Sequence, residues 1–217
     1  MSSSDARAAP SAFGEEEARG FALAWIRRQW LASPALSRHA RSGPIESLSL
    51  PFWLIDAYAV AHWEGPALRG IVEMDFGALA VCAEPSVDSV LMETLEPWPL
   101  APLRPHDAHP CAAATPATDP QAAATGSAPT LYSLDDARAR ARRRMERDLI
   151  ATARRGQPAA VRERMRLLGV EYPREACDRA QLPLWQFDDL RFGRRWRIAV
   201  NGTTGKAAGR ALFGVVR

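Results

Sequence analysis

Apolar residues recur at helical spacing in two stretches of the chain and at alternating positions in several others. Residues 14–31 predict a helix, because Ala18, Ala22 and Trp25 share one face. Its first turn is acidic and its last turn is basic, which suits the helix dipole. Residues 133–155 predict a second long helix, in which Ala137 and Met145 belong to a thin apolar stripe and arginines cover the rest.

Alternation of apolar and polar residues predicts antiparallel strands in the remaining ordered segments. Pro51 inside the first strand favours an edge position or a bulge there. Asn201, Gly202 and Gly205 tolerate positive φ and predict the turn of a closing hairpin. The predicted strands are 47–63, 69–82 with a break at Gly77, 161–170, 183–192, 196–200 and 206–212, and short helices are predicted at 34–41 and 87–95.

A seven-residue phrase occurs twice in the chain. Residues 50–56 read Leu-Pro-Phe-Trp-Leu-Ile-Asp, and residues 182–188 read Leu-Pro-Leu-Trp-Gln-Phe-Asp. Each phrase follows a predicted helix and precedes an alternating stretch, so the pattern predicts two related units. The shared positions of this repeat motif are Pro51, Trp53, Asp56, Pro183, Trp185 and Asp188.

The expected fold class is therefore α+β, with two related units that each place a helix on a small antiparallel sheet. Residues 1–13 are rich in Ser, Ala and Pro and predict a disordered tail. Residues 104–130 have almost no large apolar side chains and predict a low-complexity linker. The first unit then covers residues 14–103, and the Arg-rich second unit covers residues 131–217.

The charge of the chain is unevenly distributed along its length. Residues 1–130 hold 8 Lys/Arg against 15 Asp/Glu, whereas residues 131–217 hold 20 against 10. This asymmetry indicates attraction to an acidic partner, or two oppositely charged surfaces that face each other within the fold. No apolar run approaches the length of a membrane span, no secretory signal is visible, and three scattered cysteines fit a reducing cytoplasm.

The candidate partner-binding residues are arginines of the second long helix and its end. Guanidinium groups can contact an acidic protein surface, a second copy of the chain, nucleic acid or anionic lipid. Acidic residues in the same helix partly neutralise it, so a purely solvated surface is the simpler alternative. The six candidates are Arg138, Arg142, Arg143, Arg147, Arg154 and Arg155.

Candidates for catalysis and metal binding are weaker. Asp56 and Asp188 could act as an acid/base pair if both were buried and close together, but a role in capping strand ends is favoured. His106, His109 and Cys111 are close in sequence, but a fourth zinc ligand is not evident and the segment lies in the predicted linker. Because no phosphate-binding glycine motif is present either, no cofactor, metal or catalytic residue is predicted.

Several ordered motifs resemble a bacterial family described as TFIIB-type zinc-ribbon or primosomal protein N′-like proteins. The resemblance implies a two-part α+β region, preceded in the family by a zinc ribbon and followed by a membrane segment. The present chain has no CxxC pair, so zinc binding and membrane anchoring are not carried over. The matching residues are 30–36, 50–57, 95–100, 182–185 and 200–206, of which the last is the most specific.

The expected function is that of a non-enzymatic interaction or scaffold subunit in a larger bacterial assembly. We expect it in the cytoplasm, with a peripheral position at the inner membrane as a variant of this hypothesis. One alternative is nucleic-acid binding through the Arg-rich helix 135–155, which predicts a steep loss of affinity with salt. The other is an enzyme that uses Asp56 and Asp188, which predicts perturbed carboxylates in a shared cleft.

Overall fold

The computed structural model describes residues 7–29, 42–66, 68–100, 109–110, 131–191 and 194–212. Its helices are α1 (Glu15–Gln29), α2 (Ser89–Thr94), α3 (Leu134–Ala153) and α4 (Ala159–Arg162). Its strands are β1 (Arg7–Ala8), β2 (Ser42–Gly65), β3 (Leu68–Cys82), β4 (His109–Pro110), β5 (Arg166–Arg191), β6 (Arg194–Asn201) and β7 (Ala207–Leu212).

The main hydrogen-bonded path of strands runs β3-β2-β5-β6-β7 and is antiparallel. Two short strands pair with β5 outside this path: β1 is parallel to it and β4 is antiparallel. Helices together with an antiparallel sheet confirm the predicted α+β class. In the predicted tail, residues 7–13 are ordered, since β1 pairs with Ala180 and Gln181.

The chain forms two compact units, and each gathers segments that are far apart in sequence. The first unit comprises Met1–Phe52, Glu84–Pro99 and Ala180–Arg217, and the second comprises Trp53–Ala83 and Leu100–Arg179. The predicted division instead places one boundary at residues 104–130, with a continuous unit on each side of it. Of that predicted linker, only His109–Pro110 falls within the described residues.

The core of the first unit lies between α1 and the sheet. Ala18, Ala22 and Ile26 of α1 are buried at helical spacing against alternate residues of two paired strands. Phe187 of β5 is the cross-strand partner of Ile198 in β6, and both belong to this core. The small α1 residues allow the helix backbone to approach the sheet closely.

The core of the second unit lies between α3 and strands β2 and β3. Met145 and Leu149 of α3 are fully buried, and burial of such a side chain contributes about 1.5–3 kcal/mol. The opposing residues come from alternate positions of β2, which is why they share one face of the strand. They are Trp53, Ile55, Ala57, Ala59 and Ala61.

Each long helix packs against the phrase that the sequence assigns to the other unit. α1 contacts Trp185 and Phe187 of the second phrase, whereas α3 packs with Trp53 and Ile55 of the first. The sequence order predicts the opposite association. Helix and strand are therefore exchanged between the two predicted halves of the chain.

Most predicted elements are present, and two differ for identifiable reasons. Residues 161–170 and 183–192 are predicted as two separate strands, but residues 159–162 form α4 and a single strand, β5, runs from Arg166 to Arg191. The side chain of Val161 lies near Gly65, which a helical turn after Pro158 permits. The second strand continues through Gly77, and the next residue, Ala78, accommodates the irregularity with a φ of 46°. The predicted helix 34–41 lies outside the described residues.

Candidate functional site

The arginines of helix α3 point away from the core because a capping residue sets where the helix begins and a stripe of apolar residues sets which face is buried. Ser133 caps the helix by accepting a hydrogen bond from the Asp136 N–H, and the Asp136 carboxylate accepts one from the Ser133 N–H. Hydrogen bonds from the Ser133 hydroxyl and from the Ser133 N–H to the Asp136 carboxylate hold the pKa of Asp136 below its usual value. The apolar stripe then fixes which face is buried, so the charged residues occupy the flanks and the outer surface.

Two of the predicted partner-binding arginines are used within the second unit. The Arg138 Nε lies 2.8 Å from Glu175 Oε1, and Arg142 donates to Glu175 Oε2 at 2.8 Å. Arg142 also lies over the ring of Tyr172, 4.8 Å from its centroid. The side chains of Arg138 and Glu175 are only 18% and 11% exposed. These contacts attach α3 to β5.

Tyr172 completes this buried polar cluster. Burial, together with the nearby carboxylate of Glu146, raises the pKa of Tyr172 to about 12. Burial also raises the pKa of the Cys177 thiol on the same strand. Both groups therefore remain neutral at physiological pH, and neither is activated as a nucleophile.

Arg154 also has an internal role. Its guanidinium donates a hydrogen bond to the backbone carbonyl oxygen of Met165 at 3.1 Å, which ties the end of α3 to the start of β5. Gly156 follows with a φ of 75°, a conformation that glycine adopts without strain. The connection between α3 and β5 is thus short and defined by specific contacts.

The remaining predicted arginines lie at the surface of the second unit. Arg143 and Arg147 are one turn apart on α3, and Arg155 follows the helix; all three are exposed. Arg162 and Arg164 are also exposed in the connection that Arg154 closes. We call Arg143, Arg147, Arg155, Arg162 and Arg164 the basic surface. The sequence pattern does not single out Arg162 and Arg164, because it predicts a strand over residues 161–170.

The repeat-motif residues have structural roles in the two units. The Trp53 indole is buried and donates to the carbonyl oxygen of Tyr132 at 3.1 Å, with the Arg179 guanidinium over its ring. The Trp185 indole is half-buried and donates to Ser11 Oγ at 3.0 Å. Pro51 is half-buried, whereas Pro183 is buried and packs against the turn at Gly202.

The two repeat-motif carboxylates each bind a group of their own unit. Asp56 accepts a hydrogen bond from the backbone N–H of Ala78, at the irregular point of β3. Asp188 accepts one from Arg197, its cross-strand partner, at 3.3 Å. Asp56 belongs to the second unit and Asp188 to the first. Asp56 thus binds a backbone group, as the favoured prediction expects, but it lies inside β2 rather than at a strand end. Asp188 lies inside β5 and binds a side chain instead.

A shallow cavity of about 490 Å³ lies beside Asp56 in the second unit. At the surface of this cavity, the Tyr58 hydroxyl donates a hydrogen bond to the Glu73 carboxylate. The Arg174 guanidinium lies 5.1 Å from the centroid of the Tyr58 ring, and it forms an ion pair with Asp75 at 3.4 Å. The hydrogen bond to Glu73 raises the pKa of Tyr58. Asp75 and Arg174 are largely exposed, so this surface is lined by solvated ion pairs.

The closing turn is organised by one buried side chain. Asn201 accepts hydrogen bonds from the Thr203 and Thr204 backbones and donates to the carbonyl oxygens of Leu95 and Pro97. A Cβ at Gly202 would lie 2.7 Å from the Pro183 side chain. Gly205 adopts a φ of 71°, and a Cβ there would lie within 3 Å of the Phe21 ring. Asn201 therefore serves the turn through hydrogen bonds, whereas Gly202 and Gly205 serve it because a side chain would not fit.

The described residues contain no group of three or more His, Cys, Asp or Glu side chains placed to hold a metal ion. His109 pairs with Cys177 in the β4–β5 ladder, and His106 and Cys111 lie outside the described residues. None of the described helices is long and apolar enough to cross a membrane. No protein-family model, curated protein or solved structure matches this chain.

Proposed function

We propose that this protein is a non-enzymatic interaction subunit that binds an acidic protein through the basic surface of its second unit. The observation that supports this proposal is that the arginines of the second unit fall into two classes, those bound within the unit and those exposed at its surface. Arg138, Arg142 and Arg154 bind groups within the unit. The second class consists of exposed arginines at the surface, namely Arg143, Arg155, Arg162 and Arg164. A planar guanidinium group can form two hydrogen bonds with one carboxylate, so less conformational entropy is lost for each bond formed.

The overall charge of the second unit favours a protein partner over nucleic acid. The unit holds 15 Lys/Arg against 14 Asp/Glu, so its net charge is only +1. Asp135, Asp136 and Asp148 are exposed on the same helix as Arg143 and would repel a continuous phosphate backbone. A partner with spaced acidic residues can match arginines while avoiding these positions.

The tryptophans also give little support to base stacking. Trp53 and Trp98 are buried, and the other tryptophans within the described residues are half-buried. A single-stranded nucleic acid needs exposed rings on which its bases can stack. Duplex binding through phosphates alone therefore remains the nucleic-acid outcome that an experiment must separate.

The test is a cross-linking capture from native extract, treated with nuclease, followed by titration of the recovered protein in purified form. The variant is Arg155→Glu/Arg162→Glu/Arg164→Glu. Its matched control is Arg27→Glu/Arg28→Glu/Arg69→Glu, which reverses three exposed arginines elsewhere. We expect the first triple to weaken binding at least tenfold and the control to bind nearly as the native protein does.

Two outcomes would contradict the proposal. Equal weakening by both triples would indicate a general charge effect rather than the basic surface. Binding to a duplex DNA fragment that exceeds binding to the recovered protein, with a steep salt dependence, would favour the nucleic-acid alternative.

We further propose that the two compact units are related, each with a helix over a short sheet. Trp53 and Trp185 support this relationship, since each faces the helix of its own unit. A crystal structure in which residues 50–56 with α3 superpose on residues 182–188 with α1 would test it. The resemblance to the zinc-ribbon family stays a prediction.

The proposed location is the cytoplasm, with peripheral attachment to an anionic membrane as a variant. The basic surface supports this variant, because anionic lipids attract exposed arginines. Sedimentation with vesicles that contain phosphatidylserine tests it. Equal recovery with neutral vesicles would argue against the membrane variant and leave the protein partner unaffected.

A further inference from the structure

Strand β7 stands at the end of the hydrogen-bonded strand order, with β6 as its neighbour. Its six residues are small or apolar except for Arg210. Within the described residues no strand pairs with the other side of β7, and backbone N–H and C=O groups on that side can pair with another strand. Whether that side is available depends on which residues bond to β6.

The pairing pattern identifies the backbone groups that point away from β6. Gly202 donates to the Pro183 carbonyl oxygen, so even-numbered residues of β6 bond to β5. Asn201 donates to the Lys206 carbonyl oxygen, so odd-numbered residues of β6 bond to even-numbered residues of β7. Hydrogen bonding alternates along an antiparallel strand. Ala207, Gly209 and Ala211 therefore direct their N–H and C=O groups to the free side.

These outward residues place no obstacle in front of their backbone. Gly209 has no side chain, and Trp25 of α1 covers the position where a Cβ would project. Arg210 is neutralised by Asp88, which caps α2. Proteins normally protect an open edge with charged side chains, proline or a bulge. The one charged residue of β7, Arg210, is already paired with Asp88, and the strand has no proline and no break in its register with β6.

Strand β3, at the other end of the strand order, has such protection. It carries charged residues at Arg69, Glu73 and Asp75 and a positive φ at Ala78, which interrupts regular pairing. The contrast between the two end strands singles out β7 as the edge suited to a partner strand.

We propose that β7 pairs in antiparallel fashion with β7 of a second copy of this chain. A two-fold axis at Gly209 would align the outward groups of both copies, with Ala207 opposite Ala211 of the second copy. This register forms about six backbone hydrogen bonds. It also places Arg210 opposite Ala208 of the second copy, so like charges do not meet.

A second copy fits this edge better than a charged peptide does. The same three outward residues serve both strands, so the register is self-complementary, as a two-fold interface requires. The one charged side chain of β7, Arg210, is paired with Asp88, and the three outward residues carry no charge. Half-exposed Trp25 and the exposed Phe21 on α1, which contacts β7, add apolar area beside the strand.

The experiment combines sedimentation equilibrium with amide hydrogen exchange of the intact protein over a range of concentrations. We expect a monomer–dimer equilibrium. The amides of Ala208 and Arg210 should be protected at every concentration, because they bond to β6. The amides of Ala207, Gly209 and Ala211 should become protected only as the dimer forms.

Ala211→Pro is the diagnostic variant, because it removes an outward N–H and leaves the bonds to β6 intact. We expect it to raise the dimer dissociation constant about tenfold or more. Thermal unfolding of the monomer shows whether the fold is retained. As a second probe that leaves every side chain unchanged, N-methylation of the Gly209 amide, introduced by ligation, should have the same effect.

Three results would overturn the proposal. One is a monomer at every concentration. Another is a dimer in which Ala207, Gly209 and Ala211 exchange rapidly. The third is a dimer that tolerates both Ala211→Pro and N-methylation of Gly209, since that dimer must use a different surface.

Discussion

The side-chain amide of Asn201 donates a hydrogen bond to the backbone carbonyl oxygen of Leu95, 3.0 Å away and 106 positions earlier in the chain. The residue is fully buried. Its amide oxygen organises the β6–β7 turn while its amide nitrogen holds the segment that follows α2. One side chain thus joins a local turn to a distant part of the first unit.

Replacing Asn201 with alanine should destabilise the protein by about 3 kcal/mol. The change leaves the carbonyl oxygens of buried Leu95 and of Pro97 without this donor and removes the acceptor for two turn N–H groups. Urea unfolding measures the loss. Thr204→Ala, an exposed change in the same turn, should cost less than about 0.5 kcal/mol. Equal effects of the two changes would refute the linking role of Asn201.

Gly202→Ala and Gly20→Ala should change stability in opposite directions. The new methyl group at Gly202 would lie 2.7 Å from the Pro183 Cβ and 2.8 Å from its carbonyl oxygen, so we expect a loss of about 2 kcal/mol or more. At Gly20, in the exposed part of α1, nothing lies within 4 Å, and alanine should stabilise by about 0.5–1 kcal/mol. Thermal unfolding of both variants checks the pair.

Glu175→Gln should weaken the attachment of α3 far more than Asp135→Asn. Both carboxylates bind Arg138, but the side chain of Glu175 is 11% exposed, whereas that of Asp135 is 89% exposed. Loss of the sheltered charge should cost about 2 kcal/mol, and loss of the exposed one less than about 0.5 kcal/mol. Urea unfolding compares the two. If Asp135→Asn is as costly, the Glu175 cluster is not what holds the helix.

The ion pair between Asp88 and Arg210 should make stability depend on acid pH. Burial opposes ionisation of Asp88, but hydrogen bonds from Arg210 and from the Leu91 and Val90 N–H groups together lower its pKa below 3.8. Its contribution is therefore complete above the unfolded value and is lost as pH falls through the lowered pKa. Asp88→Asn should be less stable than the native protein near neutral pH, and the difference should shrink below about pH 4.

Unfolding free energies measured between neutral pH and about pH 2 would test this dependence. Asp75→Asn serves as the control, because the Asp75 side chain is 77% exposed in its pair with Arg174. A difference between native protein and Asp88→Asn that stays constant with pH would contradict a lowered pKa in the folded state.

The local elements of this fold follow from neighbouring residues, which explains why the sequence predicts them. Ser133 and Asp136 form the cap of α3 within four residues, and the apolar stripe that includes Met145 indicates which face of the helix is buried. α1 is recognisable for the same reason, from its acidic start and the spacing of Ala18 and Ala22. The closing hairpin is equally local, since Asn201 bonds within its own turn.

The unequal charge of residues 1–130 and residues 131–217 does not become two oppositely charged units in the folded protein. Acidic residues of the first 130 positions pair with arginines of the later part, as in Glu64 with Arg166 and Asp75 with Arg174. The compact units consequently carry net charges of only +2 and +1. Intramolecular ion pairs therefore balance part of the excess of Lys/Arg over Asp/Glu in residues 131–217. That excess overstates the positive charge that is available to a partner.

By itself the sequence determined the α+β class, the two long helices, the closing turn and the repeated phrase, because each depends on spacing within a few residues. Only the tertiary structure decided that α1 packs on Phe187 and α3 on Trp53, since that choice depends on contacts between distant segments. It also decided which arginines bind groups within the fold. Arg142 binds Glu175 and Arg143 faces solvent, and only the packing of the helix separates these neighbours.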